Sequence, residues 1–172
     1  MVTVAILPIR LYGDPVLRTR ASELDEMDRR ARRLMNNMTD TMKDAPGIGL
    51  AAPQVGVLKR IIVWEHEEDE GALANPVILE REGLIEGDEG CLSMPGITYP
   101  VVRSQLILVE GLDEKGDTVR LETSDLTARI IQHEIDHLDG ILFIDHLPPD
   151  LRSEALGVLR DLAETWEQEL AR

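Results

Sequence analysis

Cysteine is nearly absent: one occurs in 172 residues. An internal disulfide needs two, so a disulfide-framed secreted scaffold is excluded. Basic side chains are also few, with 18 Lys and Arg against 33 Asp and Glu, a formal net charge of −15. Broad nucleic-acid binding relies on Lys and Arg displacing counterions, so no direct nucleic-acid binding is expected. No apolar run nears the ~20 residues that cross a bilayer, so no membrane association is expected. The start, Met1-Val2-Thr3-Val4-Ala5-Ile6-Leu7-Pro8, lacks a basic leader and a cleavage site after a long apolar stretch, and does not read as a secretory signal. Internal repeats and low-complexity tracts are lacking too. These absences lead to the expectation of a cytoplasmic, reduced protein. At this length roughly two-thirds of the chain's surface can be buried, so residues 1–172 are expected to form a single domain with its own core.

The negative charge is concentrated. Residues 65–90 hold ten acids and one base, Arg81, and read mainly as solvated loops around strands. Met27, Ala31, Leu34, Met35, Met38 and Met42 recur at helical spacing, which predicts a helix over 26–44 with Asp25 as N-cap and a core-facing methionine stripe. Strands are predicted over 58–64, at Val77-Ile78-Leu79 after an Asn75-Pro76 turn, and in a hairpin at 106–109 and 119–121. A helix over 124–138 is expected to end at Asp139-Gly140, with the glycine in the left-handed position. A last helix follows Pro148-Pro149 over 150–172, with Leu151, Ala155, Val158, Leu159, Leu162, Trp166 and Leu170 as its docking stripe. The order helix, strands, helix, helix indicates an α+β fold with mostly antiparallel sheets.

Chemistry is concentrated in three segments. In His133-Glu134-Ile135-Asp136-His137, positions i and i+4 share one helix face, so two imidazoles can grip one metal ion. Glu134 is turned by about 100° from His133 and suits a general base for water. A hydrolytic site wants a third protein ligand. The extended pattern H-E-x-x-H-x-x-G-x-x-H runs through Gly140 but ends on Phe143 instead of histidine. Glu154 and Glu164 are candidates by position, but both sit on the last helix, where solvated carboxylates are expected. Cys91, in Glu89-Gly90-Cys91-Leu92-Ser93, offers a thiolate; a buried small hydrophobe and a catalytic nucleophile are its other readings. The third segment, Gly47-Ile48-Gly49-Leu50-Ala51-Ala52-Pro53-Gln54, is a poor phosphate loop because no G-K-[ST] follows. Its small residues permit close approach of an extended peptide backbone, and Gln54 supplies an amide donor suited to an oxyanion; a tight turn into the next strand is the competing reading.

Together, and in this order, the three segments resemble the signatures of the peptide deformylase family: G-φ-G-φ-A-A-x-Q, E-G-C-L-S and H-E-φ-D-H. Gly13-Asp14-Pro15-Val16-Leu17 is similar to the family's N-terminal region, so the resemblance spans nearly the whole chain. It implies a metal-dependent hydrolase that removes the formyl group from the N-terminal methionine of new proteins, with an HExxH metallopeptidase as the alternative. It implies a central metal-binding helix with the sheets packed around it, an N-terminal helix and a C-terminal helix. One divalent ion would be held by Cys91, His133 and His137, most often Fe²⁺ in the family, with Zn²⁺ or Ni²⁺ able to occupy the site. Glu134 would be the general acid/base, and Gln54 with the Leu92 N–H would line the oxyanion site. Ile48 and Gly49 would lie along the peptide, and Leu126 and Ile130 would wall the methionine pocket. Glu89 would orient the Cys91 loop in a pair with Arg103. Arg129 is expected to rim the pocket or face solvent, and His66 and His146 to be surface or structural residues. Substrates would be nascent formyl-methionyl peptides. In some members a basic C-terminal helix docks on the ribosome, but here residues 150–172 hold six acids and three arginines, so ribosome contact is expected to be transient at most.

Overall fold

A computed structural model describes residues 4–172; the first three positions of the N-terminal stretch weighed above as a leader lie outside the described residues. The second strand of the main sheet shows how the core is built. In β2 (Ile61–His66), Ile62 and Trp64 belong to one apolar cluster and Ile61 and Val63 to another. A strand alternates its side chains, so an unbroken apolar run marks a strand covered on both faces. One cover is α1 (Arg29–Asp44), whose Met35, Met38 and Met42 pack on Ile61 and Val63. The other is α2 (Asp125–Leu138), whose Ala128, Ile131 and Leu138 share the Ile62 and Trp64 cluster. Each fully buried side chain of this size contributes about 1.5–3 kcal/mol.

The sheet has five strands in the order β1-β2-β3-β6-β7, paired antiparallel: β1 (Gly49–Ala51), β2, β3 (Asp69–Glu82), β6 (Leu106–Leu112) and β7 (Thr118–Ser124). A separate hairpin pairs β4 (Ile85–Glu89) with β5 (Tyr99–Arg103). A third apolar cluster joins this hairpin to the last helix, α3 (Pro149–Leu170), through Tyr99, Val101, Phe143, Ala155 and Leu159. The fold is α+β. Eleven of the 14 residues of α2 are buried, because sheet and hairpin enclose it.

Several expectations shift. The first helix starts at Arg29, because the Asp28 carboxylate, not Asp25, accepts the Ala31 N–H at 2.8 Å. Met27 therefore precedes the helix, though it is buried in the same cluster. Asn75-Pro76 does not end a strand but forms an irregularity inside β3, where the register shifts between Ala74 and Val77. Asn75 takes a left-handed backbone (φ 49°), held by paired hydrogen bonds with the Leu24 N–H (2.8 Å) and Leu24 carbonyl (2.9 Å). Much of the acidic 65–90 run lies within β3 and β4 rather than in loops. Val158 and Leu170, placed in the α3 stripe, are exposed; Leu151, Ala155, Leu159, Leu162 and Trp166 make the contact. Gly140 has φ +72°, and a Cβ there would meet the Arg18 carbonyl at 2.8 Å, so only glycine fits this helix end.

Candidate metal centre

Three donor atoms converge at the centre of the molecule. His133 and His137, one turn apart on α2, bring their Nε2 atoms to 3.2 Å. Cys91, two residues past β4, places Sγ at 3.4 Å from His137 Nε2. The candidate ligand atoms of Cys91, His133 and His137 all lie within 4.8 Å of one another. Tetrahedral binding at ~2.05 Å to nitrogen and ~2.3 Å to sulfur spaces two nitrogens by about 3.3 Å and nitrogen from sulfur by about 3.6 Å. The observed separations match those edges. Burial and the positive charge of His133 hold His137 below its ordinary pKa, whereas burial of His133 is outweighed by Cys91 and Glu89, which hold it above that value.

His133 is oriented from behind. Its Nδ1 meets Glu89 Oε1 at 2.8 Å, which directs Nε2 to the donor cluster. Glu89 is buried and takes a two-pronged contact from Arg103, Nε to Oε2 and Nη2 to Oε1, both 2.8 Å. Burial pushes this carboxyl up, but hydrogen bonds from Arg103 and His133 outweigh it and hold Glu89 well below the usual carboxylate range. Arg103 Nη1 also reaches Asp136, which pairs with His146 at 2.7 Å. His146 is thus tied into the far side of the network, while His66 lies near Glu67 on the strand-end turn.

In front of the donors opens a cavity of about 470 Å³. Glu134 enters it from α2, buried, with Oε2 lacking any hydrogen-bond partner among the described residues. Burial is the main reason its carboxyl rises to about 7, opposed by charge on His133 and reinforced by Glu89. Gln54 sits on a short turn after β1 (Ala52–Val55), where its Oε1 accepts the Ala51 N–H at 2.9 Å. That anchor turns Nε2 toward Ser93 Oγ (3.1 Å) and Cys91 Sγ (3.4 Å). Leu92, Ile48 and Gly49 line the cavity, as do Leu126 and Ile130, four apart on α2. His137 and Arg103 stand behind this surface, both buried.

Two residues were undervalued by their sequence context. Arg129 lines the cavity but does not face solvent; it is 5% exposed, and its guanidinium reaches Glu89 and three main-chain carbonyls. Its i, i+4 relation to His133 was the available signal. Ser93 is fully buried against Gln54, which its place in the cysteine motif did not reveal. Of the other positions weighed for a third ligand, Glu164 is exposed on α3. Phe143 stacks on His133 with ring centroids 5.9 Å apart, and Glu154 bonds the Tyr99 hydroxyl at 3.1 Å.

Comparison with known proteins agrees with this geometry. The family described as polypeptide deformylase matches residues 6–153. The peptide deformylase of Acidothermus cellulolyticus is 49% identical over 157 residues, covering 91% of this chain and 87% of that protein. Among solved structures, the peptide deformylase of Thermus thermophilus superposes with a TM-score of 0.89 at 46% identity, covering 95% of this chain and 99% of that one. That of Ehrlichia chaffeensis in complex with actinonin gives 0.88 at 34% identity, covering 92% and 98%. The signatures, the donor cluster and these likenesses lead to one assignment: the chain belongs to the peptide deformylase family.

Proposed function

We propose that this chain hydrolyses the formamide of N-formyl-methionyl peptides, releasing formate and a free amino terminus. The observation that carries the reading is Glu134 Oε2, unpartnered among the described residues, in a cavity that Cys91 and His133 also line, with His137 just behind them. The cluster fits one divalent ion through a thiolate and two imidazoles, with Fe²⁺ as the physiological metal and Zn²⁺ or Ni²⁺ as substitutes. When bound, such an ion supplies Lewis acidity and makes nearby water acidic enough to react near neutral pH.

The remaining chemistry belongs to the chain's own side chains. Glu134 accepts a proton from the attacking water as its oxygen bonds to the formyl carbon. Charge then builds on the formyl oxygen, toward which Gln54 Nε2 and the Leu92 N–H donate. These contacts accelerate the step to the extent that they strengthen with the developing charge. Glu134 returns the proton to the leaving nitrogen as the C–N bond breaks. β1 is the edge strand of the five-stranded sheet, so Ile48 and Gly49 offer a backbone edge along which an extended peptide can add. Leu126 and Ile130 would receive the methionine side chain. Substrates are nascent chains in the cytoplasm. Ribosome contact is at most transient, because residues 150–172 carry a net −3.

The test compares formyl-Met-Ala-Ser with Met-Ala-Ser on protein purified without oxygen and analysed for metal. Formate from the first peptide, with both peptide bonds intact, is the expected result. Cleavage of internal bonds would favour the metallopeptidase reading.

A further inference from the structure

Glu89 is saturated. A carboxylate offers about four acceptor sites. Here Oε1 receives Arg103 Nη2 and His133 Nδ1, and Oε2 receives Arg103 Nε and, at 2.7 Å, Arg129 Nη1. The same Arg129 guanidinium donates to the carbonyls of Val101 (2.7 Å), Gly87 (3.2 Å) and Ile85 (2.8 Å). Gly87 and Val101 are register partners across the β4–β5 hairpin. One side chain, rooted on α2 a turn before His133, thus grips both hairpin strands and the carboxylate that orients His133. Cys91 leaves β4 two residues after Glu89, so the placement of the thiolate relative to the imidazoles depends on how the hairpin seats against α2. The fit is close: a Cβ on Gly87 would lie 3.1 Å from Arg129 Nη2 and 3.2 Å from Cζ.

We propose that Arg129 is a positioning residue of the metal centre: it locks Glu89 and the β4–β5 hairpin onto α2, and so fixes where Cys91 stands relative to His133. It touches neither the donors nor the reacting atoms and acts through Glu89 and the hairpin backbone. A lysine keeps the charge and reaches one acceptor, but it lacks the planar fork that serves several at once. Loss of the lock therefore loosens the donor set without removing a donor, and it leaves the substrate-lining β1 edge untouched.

The inference rests on the metal-site reading, and its test does not depend on deformylation. Wild type, Arg129→Lys and Gly87→Ala are loaded with Co²⁺, and the thiolate and ligand-field absorption bands are recorded. The rate of Co²⁺ extraction by excess chelator is then measured beside thermal melting. Arg129→Lys is expected to shift the bands and speed extraction about tenfold, the lower end of the effect of losing a partner behind a metal ligand. Gly87→Ala, which crowds the guanidinium from outside, should shift both in the same direction by less. In the formate assay kcat should fall with KM retained. Bands and extraction rate equal to wild type in a folded Arg129→Lys protein would overturn the proposal. So would a lowered melting temperature with both unchanged, since that is what a merely structural arginine produces. A wild type that binds Co²⁺ but releases no formate would count against the proposed reaction and leave the Arg129 comparison intact.

Discussion

Gly49→Ala should disable the protein while leaving its metal in place. Gly49 lies in β1 opposite Trp64, and its missing side chain faces α2. A Cβ there would stand 2.5 Å from Glu134 Oε1, 3.0 Å from Glu134 Cδ and 2.8 Å from Ile130 Cγ2. Ordinary contact begins at 3.4 Å, so the carboxylate must retreat by about 0.9 Å, the difference between 3.4 and 2.5 Å. Ile130 is struck too, one turn before Glu134 on the same helix, so the helix surface cannot yield to one clash and escape the other. Misplacing a reacting group by about 1 Å costs on the order of 100-fold in rate. Overpacking adds about 1–3 kcal/mol of destabilisation, which moves the melting temperature by several degrees without unfolding the protein. Cys91, His133 and His137 are not among the atoms struck, so metal content should match wild type. Formate release at saturating formyl-Met-Ala-Ser, normalised to bound metal, reads the effect. Gly47→Ala is the internal comparison. Its Cβ meets only the flexible Leu92 side chain, nearest at 2.6 Å, and the loss should be well below that of Gly49→Ala. A Gly49→Ala protein with full metal and kcat within about threefold of wild type would refute the placement of Glu134 as the proton carrier.

Glu134→Gln should retain metal and lose about 10²–10⁴-fold in kcat, because the amide fills the same space but cannot take the proton. Cys91→Ala should lose metal on dialysis, since a thiolate ligand is removed outright; elemental analysis of both proteins separates the two roles. Asp145→Asn should destabilise the chain at neutral pH and cease to matter in acid. Burial pushes the Asp145 carboxyl up, but Arg18 and the Leu142 N–H at 3.0 Å outweigh that and hold it below the usual range. A carboxyl depressed in the folded state contributes stability above the unfolded pKa, near 3.9, and loses it as pH falls through the lower folded value. Thermal melts at pH 7 and pH 3 should therefore show a gap of about 1–2 kcal/mol that shrinks in acid.

The residues of the centre were legible because their chemistry is written in local spacing. Histidines four apart on a helix must share a face, and a lone cysteine among glycines stands out in a chain with no other thiol. Their convergence was not legible from spacing, since Cys91 reaches His137 across 46 positions, and only the combined signatures pointed to it. The errors have a common physical source. Asn75-Pro76 reads as a turn because proline cannot donate to a ladder, yet a strand can carry proline at an irregularity when a side chain pins the backbone, as Asn75 does to Leu24. The helix start slipped by three residues because Asp25 and Asp28 are equally good caps in sequence, and only the reach to the Ala31 N–H separates them.

Arg129 shows why the acidic stretch was hard to read. Ile85-Glu86-Gly87-Asp88-Glu89 has three acids in five positions, so composition assigns it to solvent. As a strand, however, it turns alternate residues to opposite faces. Glu86 and Asp88 are exposed, and Glu89 is buried with Ile85 and Gly87 on its own side. Arg129 collects the carbonyls of Ile85 and Gly87 and the carboxylate of Glu89 on that side. Strand parity, rather than charge, selects the one carboxylate of this stretch that meets His133. It also explains why an arginine on a buried helix face is tolerated. Removing Arg129 leaves Glu89 its Arg103 and His133 partners but takes one donor from it and from three main-chain carbonyls. A chain with an aliphatic residue at 129 could keep Glu89 on Arg103 and His133, but it would have to satisfy the carbonyls of Ile85, Gly87 and Val101 by other means.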